Sequence, residues 1–202
     1  RFFHGIELVF NKQKLKFQFQ FLNNKQHYFQ LTYEGDRLDF LLESNNIPPS
    51  LYQTIYHSNH FSWNNNWSHI QEQKLKANYN YKGFEFSLNM SRFQNYLYLD
   101  ELINRRQSVE SIYQIKTTAA KKLNWKSLNA YHHLCYNWSS DKNIIRLPSY
   151  YFKSDFYIES SFFNNSMLSK FGFSVDYFKE YYALSYSPVL AEMYLQNDQL
   201  IG

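Results

Sequence analysis

The sequence has little of the residues that interrupt or cross-link a fold. Its 202 residues contain five Gly, four Pro and one Cys. A lone cysteine, Cys135, excludes an internal disulfide and says little about the redox compartment. No run approaches the roughly 20 consecutive apolar residues that a transmembrane helix needs. The net charge of +4 is small and the lysines are scattered, so nucleic-acid binding has little support.

Aromatic residues, in contrast, are abundant. They make up 21% of the chain, and 44% of all residues are hydrophobic, yet the mean hydropathy is −0.60. This mixture is expected where strands carry one apolar side, facing lipid or a core, and one wet polar side.

Residues 150–178 read as one long antiparallel hairpin with a turn at Asn164-Asn165. The register that this turn sets makes one face apolar, with four opposed pairs: Phe152 with Tyr177, Phe156 with Phe173, Ile158 with Phe171, and Phe162 with Met167. It makes the other face polar: Lys153 opposes Asp176, Asp155 opposes Ser174, Tyr157 opposes Gly172, and Glu159 opposes Lys170. Directly opposed opposite charges stabilise a sheet. A one-residue slip would turn the apolar set to the wrong side, so the pattern predicts the register as well as the strands.

Alternation with period two recurs along the rest of the chain. Its apolar positions are Ile6, Leu8 and Phe10; Leu15, Phe17, Phe19 and Phe21; Phe29, Leu31 and Tyr33; Leu75, Ala77, Tyr79 and Tyr81; Phe84, Phe86, Leu88 and Met90; and Tyr113, Ile115, Thr117 and Ala119. A weaker strand is expected through Leu128, Ala130 and Leu134. We count about nine strands.

Short turns are expected to join these strands in pairs. A three-residue turn at 23–25 is expected to pair Phe17 with Tyr33 and Lys16 with Glu34. A two-residue turn at Lys82-Gly83 is expected to pair Tyr79 with Phe86 and Asn80 with Glu85. A third turn is expected at Lys121-Lys122.

Long connections separate these pairs, at about residues 35–67, 93–106, 137–149 and 179–202. Pro48, Pro49, Pro148 and Pro188 all fall in them, as expected if the strands are paired on both sides. Short turns alternate with long connections, so every long one falls on one edge of the sheet, which is typical of outer-membrane barrels. The pattern predicts an all-β fold, with residues 1–202 forming part of one antiparallel transmembrane outer-membrane β-barrel.

A soluble β-sandwich also alternates apolar and polar residues, with the apolar face inward. The expected strand length argues against it. Several strands run about nine residues or more, the length that crosses a bilayer, whereas soluble strands are nearer five or six.

The barrel interpretation assigns side chains to two surfaces. The positions expected to face the lumen are Lys153, Asp155, Tyr157, Glu159, Lys170, Ser174, Asp176, Lys74, Lys76, Asn78, Asn80 and Glu85. Those expected to face lipid are Phe152, Phe156, Ile158, Phe171, Phe173, Val175, Tyr177, Leu75, Tyr79, Phe86 and Leu88. Aromatic residues at strand ends fit an interfacial girdle: Tyr81, Phe84, Tyr150, Tyr151 and Tyr177.

Several stretches of the chain form a recognisable set: Leu147-Pro148-Ser149, the hairpin, Tyr186-Ser187-Pro188, Leu190, Tyr194-Leu195-Gln196-Asn197 and Ile201-Gly202. They resemble the C-terminal region of the putative porin family of Bacteroidetes outer membranes, and residues 56–61, 63–66 and 96–100 resemble loop segments of the same family. The resemblance runs from about Tyr56 onward. It implies further strands after Ile201-Gly202, so we expect a longer barrel than these residues hold. An open sheet would leave unpaired edges in lipid.

At the start, strand-like sequence follows Arg1 directly, with no signal peptide, so we expect a piece of a mature protein.

Side chains with catalytic or metal-binding chemistry are sparse. His57 and His60 could form a two-histidine metal site, but a polar contact within the loop is their expected role. His133 and Cys135 share a strand face at a spacing usable by zinc, but no second pair of ligands lies nearby in the sequence. Glu159 and Asp176 could suggest an acid and base pair. Each opposes a lysine, so we expect ion pairs in a lumen wall. No catalytic residue, metal or cofactor is expected.

The resulting hypothesis is a porin-like barrel in the outer membrane of a Gram-negative cell, giving passive passage to small polar solutes. Its expected partners are the lipid bilayer and other outer-membrane proteins, with no nucleic acid. The alternative is a non-conducting barrel serving as a structural subunit of an outer-membrane assembly or secretion complex.

Overall fold

The regular secondary structure of the described residues is almost entirely strand. The structure, a computed structural model, describes residues 5–12, 14–22, 26–164 and 166–202. Its elements in chain order are β1 (Gly5–Lys12), β2 (Leu15–Leu22), β3 (Gln26–Glu34), β4 (Leu38–Ile47), α1 (Leu51–Thr54), β5 (Ile55–His57), β6 (Ser62–Asn64), β7 (Ile70–Tyr81), β8 (Phe84–Gln94), β9 (Leu97–Leu99), β10 (Arg105–Gln107), β11 (Ile112–Trp125), β12 (Leu128–Ser139), β13 (Tyr150–Phe162), β14 (Met167–Phe178), β15 (Tyr181–Tyr182), β16 (Ser185–Ser187), β17 (Glu192–Tyr194) and β18 (Leu200–Ile201). The one helix among the described residues, α1, has four residues and is too short to cross a membrane.

One large antiparallel sheet organises the described residues. Its order is β1-β2-β3-β4-β7-β8-β11-β12-β13-β14, so every strand lies beside its neighbours in the chain once the short loop strands are set aside. This confirms an all-β antiparallel fold. In the part of the chain that the structure describes, β1 and β14 form the two edges of the sheet.

Ten strands form this sheet, against the nine or so expected, and the additional one is β4. It lies inside the segment predicted to be a loop over about residues 35–67, so that prediction was wrong for its first third. The reason is local. Leu41 and Leu42 are adjacent apolar residues that break the alternation, and Leu41 occupies a position on the otherwise polar side, opposite Lys76.

The β13–β14 hairpin confirms the predicted register at all eight pairs. Phe156 and Phe173 stack with ring centroids 5.2 Å apart. The Ser166 N–H donates to the Phe163 carbonyl oxygen at 3.1 Å, which closes the turn around Asn164. The other turn residue, Asn165, lies outside the described residues. A Cβ added to Gly172 would lie 2.6 Å from the Cβ of Tyr157, so the opposed pair packs closely because position 172 is a glycine.

The β7–β8 hairpin also has the predicted register, with Tyr79 opposite Phe86 and Asn80 opposite Glu85. Its two turn residues, Lys82 and Gly83, have φ of 47° and 71°. Positive φ at both central positions is the geometry that two-residue hairpin turns require.

The predicted β2–β3 pairing was wrong by two residues. Phe17 opposes Leu31, and Tyr33 opposes Leu15. A shift of two keeps every side chain on its own face. Lys16 still reaches Glu34, diagonally, with Nζ and Oε1 2.8 Å apart. The turn predicted at 23–25 lies outside the described residues.

The turn predicted at Lys121-Lys122 was also wrong. Both lysines lie within β11, which continues to Trp125, and the turn falls at Lys126-Ser127, where Lys126 has φ of 54°. Trp125 then opposes Leu128. The chain therefore turns five residues later than the two lysines indicate.

The long connections of the large sheet lie together on one of its edges. Three long ones, at 48–69, 95–111 and 140–149, lie on one edge of the sheet together with the segment 179–202; we call this the long-connection edge. The described connections on the opposite edge have two to four positions; we call it the short-turn edge. The prediction that every long connection falls on one edge is confirmed. The predicted alternation of short turns with long connections holds only from β4 onward, because the additional strand β4 places the β2–β3 connection on the long-connection edge as well. All four prolines lie outside the ten strands of the large sheet.

Candidate functional site

The register separates two faces of the large sheet. All twelve residues predicted to face a lumen share one side, which we call the polar face, and all eleven predicted to face lipid share the other, the apolar face. The two sets follow from the pairings, because directly opposed residues lie on the same side. What each face contacts stays a prediction.

Charged side chains on the polar face of the β13–β14 hairpin are held in short contacts. Lys170 Nζ lies 3.2 Å from Glu159 Oε2 and 5.6 Å from the centroid of the Tyr157 ring. Ser174 Oγ donates to Asp155 Oδ1 at 2.5 Å. The expected Glu159–Lys170 ion pair is therefore present, at a partly exposed position where such pairs contribute about 1 kcal/mol or less.

Asp176 differs from expectation. It opposes Lys153 in the register, but Lys153 Nζ makes its ion pair with Asp155, at 3.8 Å along the same strand. Asp176 instead accepts a hydrogen bond from the Tyr151 hydroxyl at 2.7 Å. Tyr151 was expected in the aromatic girdle; its pairing with Phe178 places it on the polar face, so that prediction was wrong.

A second charged cluster lies on the polar face of β4 and β7. Lys74 Nζ is 2.8 Å from Glu72 and 4.0 Å from Glu43, and the Asn45 amide donates to Glu43 at 2.6 Å. Cations and carboxylates thus alternate across this face in two separate places.

The apolar face is uncovered. Phe171 is 84% exposed and Phe173 is 63% exposed, and these are central residues of a twelve-residue strand. Tyr81 and Phe84 flank the short-turn edge, and Tyr150 and Tyr177 lie near the long-connection edge. An exposed apolar surface this continuous marks contact with lipid or another protein.

Four of the eight buried hydrophobic residues that the structure describes lie in the connections at the long-connection edge, which we call the loop cap (residues 48–69, 95–111, 140–149 and 179–202). Leu99 is 2% exposed, and Leu97, Leu190 and Leu195 are also buried. The Leu195 N–H donates to the Leu99 carbonyl oxygen at 3.1 Å. The cap therefore has a small core of its own.

Arg105 joins three parts of the cap. Its side chain is 3% exposed, and one of its Nη atoms lies 2.7 Å from a carboxylate oxygen of Glu192. Its guanidinium carbon lies 5.4 Å from the Trp63 ring centroid and 5.8 Å from that of Tyr52. The Tyr52 hydroxyl donates to the Leu190 carbonyl oxygen. Residues from 48–69, 95–111 and 179–202 therefore meet around one buried cation.

One residue of the cap contacts the end of the polar face. Phe93 lies on that face, between Glu72 and Ile112, and its ring centroid is 5.4 Å from that of Tyr96. Ile112 is 2% exposed. Burial, reinforced by the Glu72 carboxylate, raises the pKa of Tyr96. Tyr96, which follows β8 in the cap, thus packs against the end of the polar face.

The chain thus combines a two-faced antiparallel sheet with short turns on one edge and folded loops on the other. A family model described as "Putative porin" matches residues 6–202. The chain belongs to this family. The resemblance found from about Tyr56 onward is confirmed, and the match extends it over almost the whole chain. No curated protein matches the sequence.

Three side chains considered as metal ligands in this member of the family, His57, His60 and Cys135, lie in ordinary polar surroundings. His57 Nδ1 lies 2.7 Å from Ser62 Oγ, and the His60 backbone N–H donates to Ser58 Oγ. Cys135 is buried, with Sγ 3.8 Å from Asn137 Oδ1. Within residues 5–12, 14–22, 26–164 and 166–202, no three His, Cys, Asp or Glu side chains are grouped to hold a metal.

Sequence reasoning missed the loop cap. Its determining residue, Arg105, lies in a segment predicted to be loop, and its partners come from positions far away in the chain. A faint signal was available. Leu97 and Leu99 alternate with polar or aromatic neighbours inside a presumed loop, as strand residues do.

Asp100 anchors the turn between β9 and β10. Arg106 Nε donates to Asp100 Oδ2 at 2.9 Å, and the backbone N–H groups of Leu102 and Asn104 donate to Oδ1 at 3.0 and 2.8 Å. Burial alone would raise the pKa of Asp100, but these hydrogen bonds favour the ionised form and lower the pKa below its usual value. The carboxylate therefore stabilises the turn above the ordinary Asp pKa of about 3.9, and this contribution is lost as the pH falls through the lowered value.

We expect Arg106→Gln to raise the titration midpoint of Asp100 towards the ordinary Asp value, because it removes the charged donor. The midpoint can be followed by carbon NMR of the carboxyl group in the folded protein. Lys142→Gln, which removes a cation from another connection of the cap, is the control and should leave the midpoint in place. A midpoint that stays low in Arg106→Gln would show that the remaining donors, the backbone N–H groups of Leu102 and Asn104 and the Asn104 side-chain amide, are sufficient to lower it.

Proposed function

We propose that this chain is part of an outer-membrane porin, a β-barrel whose apolar face meets lipid and whose polar face lines a passage for small polar solutes. Membership in the "Putative porin" family supports this proposal, as does the division of the sheet into two faces. Transport through a hydrated wall needs no catalytic group, and we expect none.

The observation that carries the proposal is the contrast between the two faces of the same strands. On β14, Phe171 and Phe173 are exposed on one side while Lys170 and Ser174 contact carboxylates on the other. A soluble sandwich would cover the apolar side with a second layer. The described residues supply no such layer, and lipid can take its place.

Strand length fits the same environment. β7 has 12 residues, β11 has 14 and β13 has 13. A tilted strand needs about 9 to 11 residues to cross the hydrocarbon core, so each of these strands spans it with residues to spare at both ends. Closing the barrel in lipid requires that both edge strands be paired, because an open edge leaves unpaired backbone groups there.

The loop cap gives this pore its entrance. It contacts the end of the polar face at the long-connection edge, through Tyr96 against Phe93. We infer that it narrows the passage and that its own small core keeps the narrowing in place.

Conductance of the full-length protein in a planar bilayer tests the proposal. We expect stepwise increases in current as single channels insert. Asn78→Asp, on the polar face of β7, should shift selectivity towards cations, and Asn164→Asp, in a turn at the short-turn edge, should not. Insertion without conductance would instead indicate a structural barrel subunit of an assembly or secretion complex.

The same proposal predicts the orientation of the chain. Single cysteines in a Cys135→Ala background at Asn65 or Asn143, on the long-connection edge, should react with an impermeant thiol reagent on intact cells. Cysteines at Lys82 or Asn164, on the short-turn edge, should react only after the outer membrane is permeabilised. Labelling of Lys82→Cys without labelling of Asn143→Cys would reverse the proposed topology.

A further inference from the structure

A groove of about 620 Å³ crosses the apolar face near the long-connection edge. It runs over β3, β4, β7, β8, β11 and β12. Its apolar lining consists of Phe29, Leu42, Leu75, Met90 and Ile115, and its lining towards the edge includes Ser44, Gln73, Arg92, Tyr113 and Trp138. Its volume falls in the range of sites that bind small organic ligands.

Arg92 lies at the polar end of this groove. The register sets Gln73, Arg92 and Tyr113 side by side across three strands. The guanidinium donates to Gln73 Oε1 at 3.4 Å and to Ser111 Oγ at 3.2 Å, and its carbon lies 6.0 Å from the Tyr113 ring centroid. All three neighbours are uncharged.

The positive charge of Arg92 is therefore not neutralised by the protein that the structure describes. Its Nε atom is buried and has no hydrogen-bond partner among the described residues. A buried donor without an acceptor is costly, so the site favours a ligand that brings one. A guanidinium is well suited to phosphate, which accepts two parallel hydrogen bonds from it.

Glu43 and Lys74 also border the groove, but the register places both side chains on the polar face, where Lys74 Nζ lies 4.0 Å from Glu43 Oε1. The apolar face itself has no acidic side chain among those described on its strands. Of the strand side chains described on the apolar face, only Arg92 and Lys121 carry a formal charge, and both are cations. Lys121 lies near the opposite edge, where its Nζ donates to the Lys82 carbonyl oxygen at 3.0 Å. The cation of the groove thus lies at the depth of lipid headgroups if the strands span a bilayer, which is where basic side chains attract anionic lipids.

We propose that this groove binds an anionic glycerophospholipid, with the phosphodiester on Arg92 and Tyr113 and an acyl chain along Leu42, Leu75 and Met90. One guanidinium matches one phosphodiester, whereas a lipid with several phosphates would leave charges unpaired here. The inference rests on the proposed function, because it requires the apolar face to meet lipid. It goes further in assigning a specific lipid site to one part of that face.

Native mass spectrometry of the full-length protein, released from detergent with added phosphatidylglycerol, tests this site. We expect retention of phosphatidylglycerol by the parent protein and about fivefold weaker binding by Arg92→Gln, the effect of one basic side chain at a membrane surface. Lys142→Gln, which removes a cation from the same edge outside the groove, should bind like the parent. Diacylglycerol with the same acyl chains lacks the phosphate, so its weaker binding should be equal in all three proteins.

Met90→Trp, which narrows the groove, should weaken binding of both lipids. Equal retention of phosphatidylglycerol by the parent protein and Arg92→Gln would overturn the site. Displacement of bound phosphatidylglycerol by an equal concentration of a multiply phosphorylated glycolipid would overturn it as well. The planar-bilayer experiment is independent of these results. A protein that conducts but shows no effect of Arg92 refutes the lipid site alone, and one that fails to insert refutes the proposed function.

Discussion

Phe173→Arg should hamper folding into lipid bilayers, raising the free energy of the folded state by about 2 to 4 kcal/mol, the cost of a cation near the bilayer midplane on the lipid face of a barrel. Phe173 is near the middle of β14, is 63% exposed and stacks on Phe156. The substitution removes that contact as well. Urea titration of the full-length protein in lipid vesicles, followed by tryptophan fluorescence, measures the effect.

Ser174→Arg is the matched control, one residue along the same strand on the other face. Ser174 donates to Asp155, so an arginine at this position meets a carboxylate and, in the proposed pore, water. Its effect should be well below that of Phe173→Arg. Equal losses from the two substitutions would mean that both faces of the sheet are buried, which would favour a sandwich and remove the basis for a pore.

Glu192→Ala should release the loop cap while leaving the large sheet folded. Arg105 has 3% of its side chain exposed and would lose its carboxylate partner, and removing one member of a buried ion pair typically costs about 3 to 5 kcal/mol. The rings of Tyr52 and Trp63 still face the guanidinium, so we expect a loss near the lower end. Hydrogen exchange should show faster exchange in residues 95–111 and 179–202.

Glu110→Ala provides the control for this experiment, since Glu110 is an exposed carboxylate in the same connection as Arg105. It should leave the exchange of the cap unchanged. In bilayers, a released cap should also make single-channel currents noisier in Glu192→Ala. If exchange increased equally over β7 and β8, the cap would be part of the main folding unit of the protein.

The pairing register of two strands could be predicted from the sequence where both faces of the pair required the same register. In the β13–β14 hairpin, Glu159 and Lys170 on one face and Phe156 and Phe173 on the other all required the same register. In β2 and β3 the one opposite-charge pair, Lys16 and Glu34, is reached diagonally at 2.8 Å, so it did not distinguish two registers that differ by two residues and keep the same alternation. The predicted pairing of Phe17 with Tyr33 failed for that reason.

The other errors have local causes. β4 was missed because Leu41 places an apolar residue on the polar face, and the turn after β11 was placed too early because two adjacent lysines resemble a surface turn. The polar face was predicted residue by residue, since alternation alone fixes which side chains share a side. The loop cap could not be predicted, because no periodicity links Arg105 to Glu192.

The small core of the cap also has a consequence for the order of folding. The Tyr52 hydroxyl donates to the carbonyl oxygen of Leu190, a residue 138 positions later in the chain. The ion pair of Arg105 with Glu192 likewise joins residues that are far apart in the sequence. Each hairpin of the sheet, in contrast, closes a short turn. Because long loops cost more entropy to close, the cap should assemble last, after the strands have brought its pieces together. Resistance of the cap to protease would then mark molecules that have completed folding, and a molecule arrested earlier would have its hairpins but an open entrance.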